Sequence, residues 1–459
     1  MLKRLRKEPS RLYQKRRLTS VQAIVLYYLA AVTLATILLS LPVAHKPGVE
    51  WTFINAVFTA VSAVSVTGLT VVSTADTFNT AGVIILAFVL QFGGIGIMTL
   101  GTFIYMMLGK KIGLKERQLI KTDQNQATLS GLVKLMRSIL GLIVIIEAFG
   151  AVILSLYYLK YFPTWQEAFL QGSFASISAT TNAGFDITGT SLIPFANDYF
   201  VQFVTMVLII LGAIGFPVLI EVKEFLIRSK ENRTFFRFSL FAKLTTVTFF
   251  ALIIIGVFFI LTMEWAYFFE GKKWHEALFY ALFQSVSTRS AGLATMNVSD
   301  FSEATLLVLS ALMFIGASPS SVGGGIRTTT FALTLLFFWN FARGKKTIKV
   351  FRREIHEDDL RKALVVPLVA LMLCFTSVVV LSATENFTLI EIVFEVCSAF
   401  GTTGLSMGIT PELSTAGKVI IILLMFIGRI GILSFLFMIK GNDIKADPYR
   451  LPKERIIIG

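Results

Sequence analysis

A chain of 459 residues could hold two or three soluble domains at roughly 150 residues each, but 55% of its residues are hydrophobic and only 15% are charged. Soluble proteins carry about 45–50% apolar and about 25% charged residues, so this balance argues against soluble domains and describes a polytopic membrane protein. The 42 Lys and Arg against 28 Asp and Glu give a net charge of +14, which would suggest nucleic-acid binding on a soluble chain; here the position of the charges matters more than their sum, and no nucleic-acid partner is expected.

From the N-terminus, a basic segment 1–19 precedes an apolar run, Val21 to Ala44. That run is far longer than a signal-peptide core of about 7–15 residues and is read as an uncleaved first span. Further stretches of spanning length are 81–108, 138–159, 199–220, 240–265, 363–382 and 417–439, with an eighth over 303–341. Between the members of each pair lies a shorter semi-polar segment of helical character: 52–63, 165–178, 273–287 and 388–399. Clusters of Lys and Arg follow only every second span, at 3–17, 110–137, 223–243, 343–362 and 440–455; they hold 34 basic residues against five on the other side. This bias places both termini and the three long polar loops in the cytoplasm of a plasma membrane. The same clusters also suit a docking surface for anionic lipid or a cytoplasmic partner.

The semi-polar segments are four copies of one pattern: Phe58 to Leu69, Phe174 to Phe185, Phe283 to Leu293 and Phe394 to Leu405. Each reads Phe, three residues, Ser, a small polar run, Gly and an apolar residue, and the glycines Gly68, Gly184, Gly292 and Gly404 lie 116, 108 and 112 residues apart. The third copy has one residue fewer between Ser287 and Gly292, so its backbone must differ locally. The fold class expected is an all-α polytopic membrane protein of four tandem helix–pore-loop–helix repeats, pseudo-four-fold around one pore. The repeats occupy 20–109, 129–229, 237–341 and 362–441, ahead of a tail at 442–459.

Irregular backbone at membrane depth is tolerated only where it lines a water-filled path or is buried in protein. Inward carbonyls in such loops can replace the hydration shell of a cation, and glycine permits the turn they need. Each short helix would aim its partly negative C-terminus at the centre. The loops carry no Asp or Glu between the Ser and Gly positions. A monovalent cation is therefore expected, K⁺ before Na⁺, on a filter of Val66, Thr67 and Gly68; Asn182, Ala183 and Gly184; Ser290, Ala291 and Gly292; and Thr402, Thr403 and Gly404.

On these loops, on Gly109 to Arg117 and on Phe426 to Gly431, the chain resembles the membrane subunit of Ktr-type potassium uptake systems in the Trk/Ktr/HKT superfamily. The resemblance spans residues 20 to about 440. It implies K⁺ preference where all four loops carry glycine, and a homodimer with one pore per protomer. It also implies a cytoplasmic ring of RCK-type regulatory subunits that binds ATP and ADP, with cyclic di-AMP as an inhibitor. Dependence on Na⁺ stays open, and no cofactor is expected in this chain itself.

Residues 303–341 as one helix would run about 58 Å at ~1.5 Å per residue, nearly twice the hydrocarbon thickness. A break is expected at Gly316, Ala317, Ser318, Pro319, Ser320, Ser321, Val322, Gly323, Gly324 and Gly325, with the glycine-rich middle inside the membrane below the filter. An inert kink or a cytoplasmic loop before an interfacial helix are the alternatives; the resemblance favours a gate. Pro319 and Val322 stiffen this version. No phosphate-binding motif is present, since Gly325 is followed by Ile326 and Arg327.

Arg429 lies eleven residues from both Lys418 and Lys440, beyond easy snorkelling, and a buried arginine in a span is by default a functional site. It is expected to face the pore below the filter, oppose cation flux and anchor the gating loop, or else to pair with an acid such as Glu395. Arg289, three residues before Gly292, is expected to point away from the ion and brace the loop on backbone carbonyls or on Glu276, Glu391 or Glu395. A cation-coupled secondary transporter is the rival function. It is disfavoured because the repeats run parallel and no span centre shows an obvious acid. An enzyme is not expected: His45, His275, His356, Cys374 and Cys397 form no cluster with ligand spacing, and no metal is expected beyond the transported K⁺.

Overall fold

A computed structural model describes residues 19–96, 117–118, 131–228, 236–345, 347–440, 452 and 454. The basic N-terminus, the stretch 109–116, most of the polar loop 110–137 and nearly all of the tail lie outside the described residues.

Among the described residues the fold is all-α apart from a two-stranded hairpin, β1 (Lys349–Val350) and β2 (Arg353–Glu354). Four times in succession a long apolar helix leads into a short helix, an irregular loop and a second helix. The long helices are α1 (Ser20–Leu39), α4 (Leu132–Tyr158), α8 (Leu240–Glu264) and α12 (Glu357–Thr384), each long and apolar enough to cross a membrane alone. Their outer faces expose large apolar side chains such as Leu26, Phe149, Phe258 and Phe375, while Ser62, Ser176, Ser285 and Ser398 are buried. That distribution is costly in water and suits lipid outside with satisfied polar groups inside.

The short helices α2 (Phe53–Ser65), α5 (Trp165–Thr180), α9 (Trp274–Ser287) and α13 (Leu389–Gly401) fall within two residues of their expected positions. Three start on a threonine cap: Thr52, Thr164 and Thr388 accept from the N–H groups of Asn55, Glu167 and Glu391. Their C-terminal turns are buried at the centre of the molecule. In the second and third repeats a serine docks the short helix on its long neighbour. Ser176 donates to the Glu147 carbonyl and Ser285 to that of Ile253, each at 2.8 Å, and both press on a glycine, Gly150 or Gly256.

The second helices are α3 (Thr80–Gly94), α6 (Tyr199–Ala213), α10 (Glu303–Ile315) and α14 (Thr415–Ile430). Each is tied at its N-terminus to the end of the preceding long helix or the residues just after it, by different partners in the first two repeats and by a Glu–Ser pair in the last two. The Asn79 amide donates to the Val43 and His45 carbonyls, and the Tyr161 hydroxyl donates to Asp198. Glu264 accepts from both the N–H and the hydroxyl of Ser302, and Glu385 from those of Ser414.

Continuous spans at 199–220 and 417–439 are not what forms. All four second helices stop at an Ile-Gly step, and Gly96, Gly215, Gly316 and Gly431 sit at φ +87°, +103°, +71° and +89°. L side chains rarely adopt these values, so a glycine is what lets the helix end there. After the second break the chain resumes as α7 (Phe216–Ile227), bent by 105° from α6. After the fourth it resumes as α15 (Ile432–Lys440), bent by 101° from α14. In the third repeat the loop 316–327 intervenes before α11 (Thr328–Ala342).

Candidate functional site

The four loops after the short helices repeat one backbone geometry. Val66, Asn182, Ser290 and Thr402 all sit at positive φ, between +47° and +78°, and two residues later Gly68, Gly184, Gly292 and Gly404 do so again at +69° to +93°. Non-glycine residues pay for such a conformation, and four in register mark a constrained site. The loops close into a ring in chain order. A Cβ on Gly68 would strike the Ala183 carbonyl oxygen, one on Gly184 that of Ala291, one on Gly292 that of Thr403, and one on Gly404 that of Thr67. Glycine is thus required twice over, for its φ and for the carbonyl of the next loop.

The pattern serine anchors each loop. Thr67, Ala183 and Thr403 donate their N–H to the carbonyl five residues earlier, on Ser62, Ser178 and Ser398. In the shortened third loop Ala291 reaches Ser287, four residues back, so the missing residue is absorbed before the ring and the register at Gly292 is kept. The serine hydroxyls finish the tie. Those of Ser62 and Ser398 accept from Gly68 and Gly404 N–H at 3.1 Å, and those of Ser178 and Ser287 donate to the Phe185 and Leu293 carbonyls.

Arg289 is fully buried beside the ring. Its Nη2 donates to the Leu312 carbonyl at 2.7 Å and to Thr288 Oγ1 at 3.3 Å, and Nη1 reaches the Gly316 carbonyl at 3.5 Å. A cation at the partly negative C-terminus of α10 is favoured by the helix dipole; it shares the Leu312 carbonyl with the Gly316 N–H. No acid takes part. Glu276 accepts from Lys273 N–H, Glu391 caps Thr388, and Glu395 accepts from the Ser406 and Thr410 hydroxyls, which ties α13 to the chain leaving the fourth loop.

Loop 316–327 lies directly against the ring. A Cβ on Gly323 would meet Ser290, and one on Gly324 would meet Thr402. The Ser290 hydroxyl donates to the carbonyls of Gly401 and Thr402 at 2.7 and 2.9 Å and accepts from Gly324 N–H at 3.1 Å, so it joins the third loop, the fourth loop and residues 316–325. From the second repeat, the Ala213 and Gly212 carbonyls accept from Ser318 and Val322 N–H, and Phe216 N–H donates to the Ser320 carbonyl. The Ile326 and Arg327 N–H groups return to Phe314 and Ile315, closing the loop on the end of α10.

Arg429, at the end of α14, donates through Nη1 to the Val322 carbonyl and through Nη2 to that of Gly93, and pairs with neither Glu395 nor any other described acid in those contacts. It thereby links residues 316–325 to the first repeat. Arg327 was not among the sequence-derived site residues, yet its Nη1 donates to the Ser318 and Gly323 carbonyls of the same loop. Its place right after the glycine run was the signal in the sequence, and in the structure it sits at φ +80°. Both arginines line a cavity of about 240 Å3 that opens where the four second helices break.

Contrary to the expectation that no span centre holds an obvious acid, α4 carries one at mid-helix. Glu147 is 8% exposed, and its Oε2 accepts from Gln91 Nε2 of α3 at 2.8 Å. It lies between the first and second repeats and does not line the cavity beneath the ring. Ile145, Ile146, Ala148 and Phe149 flank it, so the apolar run reads as continuous through a single acid.

The sequence profile of the TrkH family, described as a cation transport protein, matches residues 5–441. The chain is 62% identical over 442 residues to the Ktr system potassium uptake protein D of Bacillus subtilis, covering 96% of this chain and 98% of that one. It is 38% identical over 431 residues to the Ktr system potassium uptake protein B of the same organism, covering 93% and 94%. In structure it is similar to the potassium transporter TrkH of Vibrio parahaemolyticus, with a TM-score of 0.71 at 19% identity over 92% of this chain and 86% of that one, a likeness of fold.

Proposed function

The chain belongs to the TrkH family of cation transport proteins, and on that premise we propose that it mediates K⁺ uptake across the plasma membrane through a gated, K⁺-selective pore. The observation that carries this is the closed ring of four loops, each with a positive-φ residue and a positive-φ glycine against the carbonyl of the next. Residues 66–68, 182–184, 290–292 and 402–404 form the filter, in which carbonyls and hydroxyls replace the hydration shell of K⁺ without a carboxylate. The relatives' names as potassium uptake proteins support the ion assigned. Arg289 and Glu395 support the filter from behind through the contacts described.

Residues 316–325 act as the gate. Their contacts with Ser290, Thr402, Gly212 and Arg429 favour an obstruction held from several repeats at once. Arg429 opposes the cation electrostatically and pins the gate through Val322. Opening requires these bonds to be exchanged. Inward movement then follows the electrochemical gradient, with roughly 2.3 kcal/mol per charge per 100 mV of membrane potential.

The chain crosses the membrane eight times in four repeats, at 20–109, 129–229, 237–341 and 362–441, with both termini cytoplasmic, and assembles as a homodimer. Its cytoplasmic face carries an RCK-type regulatory ring on which ATP and ADP set the state of the gate. The printed names of the relatives, proteins D and B of a Ktr system, support a multi-component assembly. The test is growth of a K⁺-uptake-deficient bacterium on low K⁺, with and without Na⁺ and a co-expressed regulatory subunit. The wild type rescues growth, and Gly68→Ser admits Na⁺. No rescue by correctly inserted protein under any combination overturns the assignment. Glu147 is the one observation that favours the rival, a cation-coupled secondary transporter.

A further inference from the structure

The four filter loops are not held equally. In the first and fourth, the pattern serine accepts from the ring glycine, Ser62 from Gly68 N–H and Ser398 from Gly404 N–H. The shortened third loop has no such bond to Gly292 among the described residues, and its Ser287 hydroxyl donates instead to the Leu293 carbonyl. This loop is held from outside, through Ser290, which is fully buried at φ +78°.

A hydroxyl has one proton to donate and two lone pairs with which to accept, and all three are engaged at Ser290. The proton is shared between the Gly401 and Thr402 carbonyls, at 2.7 and 2.9 Å. One lone pair takes Gly324 N–H at 3.1 Å. The other faces the Thr402 hydroxyl at 3.2 Å, which is the donor of that pair because the Ser290 proton is already taken. The two sides of the group thus hold different things. The donating side joins the third loop to the fourth, and among the described residues no other side-chain hydrogen bond crosses between the filter triplets. The accepting side holds loop 316–327, which comes this close only through its glycines. A Cβ on Gly323 would lie 2.5 Å from Ser290 Cβ and 2.6 Å from its Oγ, and one on Gly324 would lie 2.5 Å from Thr402 Oγ1.

We propose that the Ser290 hydroxyl determines specificity and gating through two separable roles: as donor it fixes the Gly401 and Thr402 carbonyls against the third loop, and as acceptor it seats the gate. This rests on the filter and gate assigned above. A carbonyl held by a neighbouring loop resists following a smaller ion inward, so the donor role favours K⁺ over Na⁺. When residues 316–325 withdraw, the Gly324 bond is lost but both carbonyls keep their donor. The filter therefore stays selective as the gate opens. Without the hydroxyl, the shortened loop loses its tie to the fourth loop and the gate loses its hold on the ring, both at one position.

The experiment reconstitutes the full chain in proteoliposomes and measures Rb⁺ and Na⁺ uptake for wild type, Ser290→Ala, Ser290→Gly and Gly323→Ala. Ser290→Ala should raise Rb⁺ flux severalfold and lower the ratio of Rb⁺ to Na⁺ uptake by about three- to tenfold, the size of one lost hydrogen bond. Ser290→Gly removes the same hydroxyl at a positive φ that suits glycine and should behave alike, which keeps the outcome readable if Ser290→Ala fails to fold. Gly323 is not at positive φ, so Gly323→Ala strains no backbone there, leaves the hydroxyl in place and crowds the gate away from it. It should raise flux with the ratio within about twofold of wild type. A wild type without ion preference fails the filter reading, and this proposal with it. A selective wild type whose ratio survives in both Ser290 variants, or falls equally in Gly323→Ala, overturns the donor role alone. Flux no higher than wild type in the Ser290 variants overturns the hold on the gate.

Discussion

Replacing the four ring glycines by alanine, one at a time, should damage ion selection in an order set by the geometry. The added Cβ would lie 2.1 Å from the facing carbonyl oxygen at Gly404, 2.3 Å at Gly292, 2.6 Å at Gly68 and 3.0 Å at Gly184. Against an ordinary contact of 3.4 Å, the shortfall runs from about 1.3 Å at Gly404 to about 0.4 Å at Gly184. The positive φ costs each alanine roughly 1–2 kcal/mol, and that part is common to all four. The graded part is displacement of a carbonyl, which backbone on both sides prevents from being absorbed by a rotamer change. A carbonyl moved by about an ångström no longer matches an ion that a few tenths of an ångström distinguish from a smaller one. The ratio of Rb⁺ to Na⁺ uptake into proteoliposomes should therefore fall most in Gly404→Ala and Gly292→Ala, less in Gly68→Ala and least in Gly184→Ala. Membrane yield and thermal unfolding control for folding, and Gly184→Ala is the internal reference. Equal loss at all four positions, or the largest loss at Gly184, would refute the role given to the facing carbonyls.

Two further outcomes separate the parts of the mechanism. Arg429→Ala removes donors to the Val322 and Gly93 carbonyls and should raise cation flux severalfold with the K⁺ to Na⁺ ratio unchanged; unaltered flux in a folded variant counts against Arg429 as a barrier. Glu147→Gln keeps an acceptor for Gln91 Nε2 at the 2.8 Å contact and should leave uptake and its pH profile within about twofold of wild type, less than the ~1.4 kcal/mol of a tenfold change. Abolished uptake in stable protein would instead favour the ion-coupled transporter.

Much of the architecture was legible because it repeats. Four copies of a Phe–Ser–Gly pattern place the short helices to within two residues, since a semi-polar segment between two apolar ones has few ways to be buried. The break at 316–325 followed from the length of the run and from the glycines, serines and proline inside it. The other three breaks were missed because apolar runs continue through Gly96, Gly215 and Gly431; the Ile-Gly step common to all four was the available signal. Arg429 stood out as a charge in an apolar run, whereas Arg327 and Glu147 did not.

By itself the sequence determined the membrane class, the number of repeats and the residues whose backbone must be special, because hydropathy, periodicity and glycine act locally along the chain. Only the tertiary structure decided what those residues face. The Gly404 site is closed by the Thr67 carbonyl from the far end of the chain, and Arg429 reaches Gly93 across 336 residues. Arg289 sits on the carbonyls of a broken helix, not on any of the three acids available to it. Partners of that kind depend on how four repeats meet around a common centre, and no spacing within one repeat encodes it.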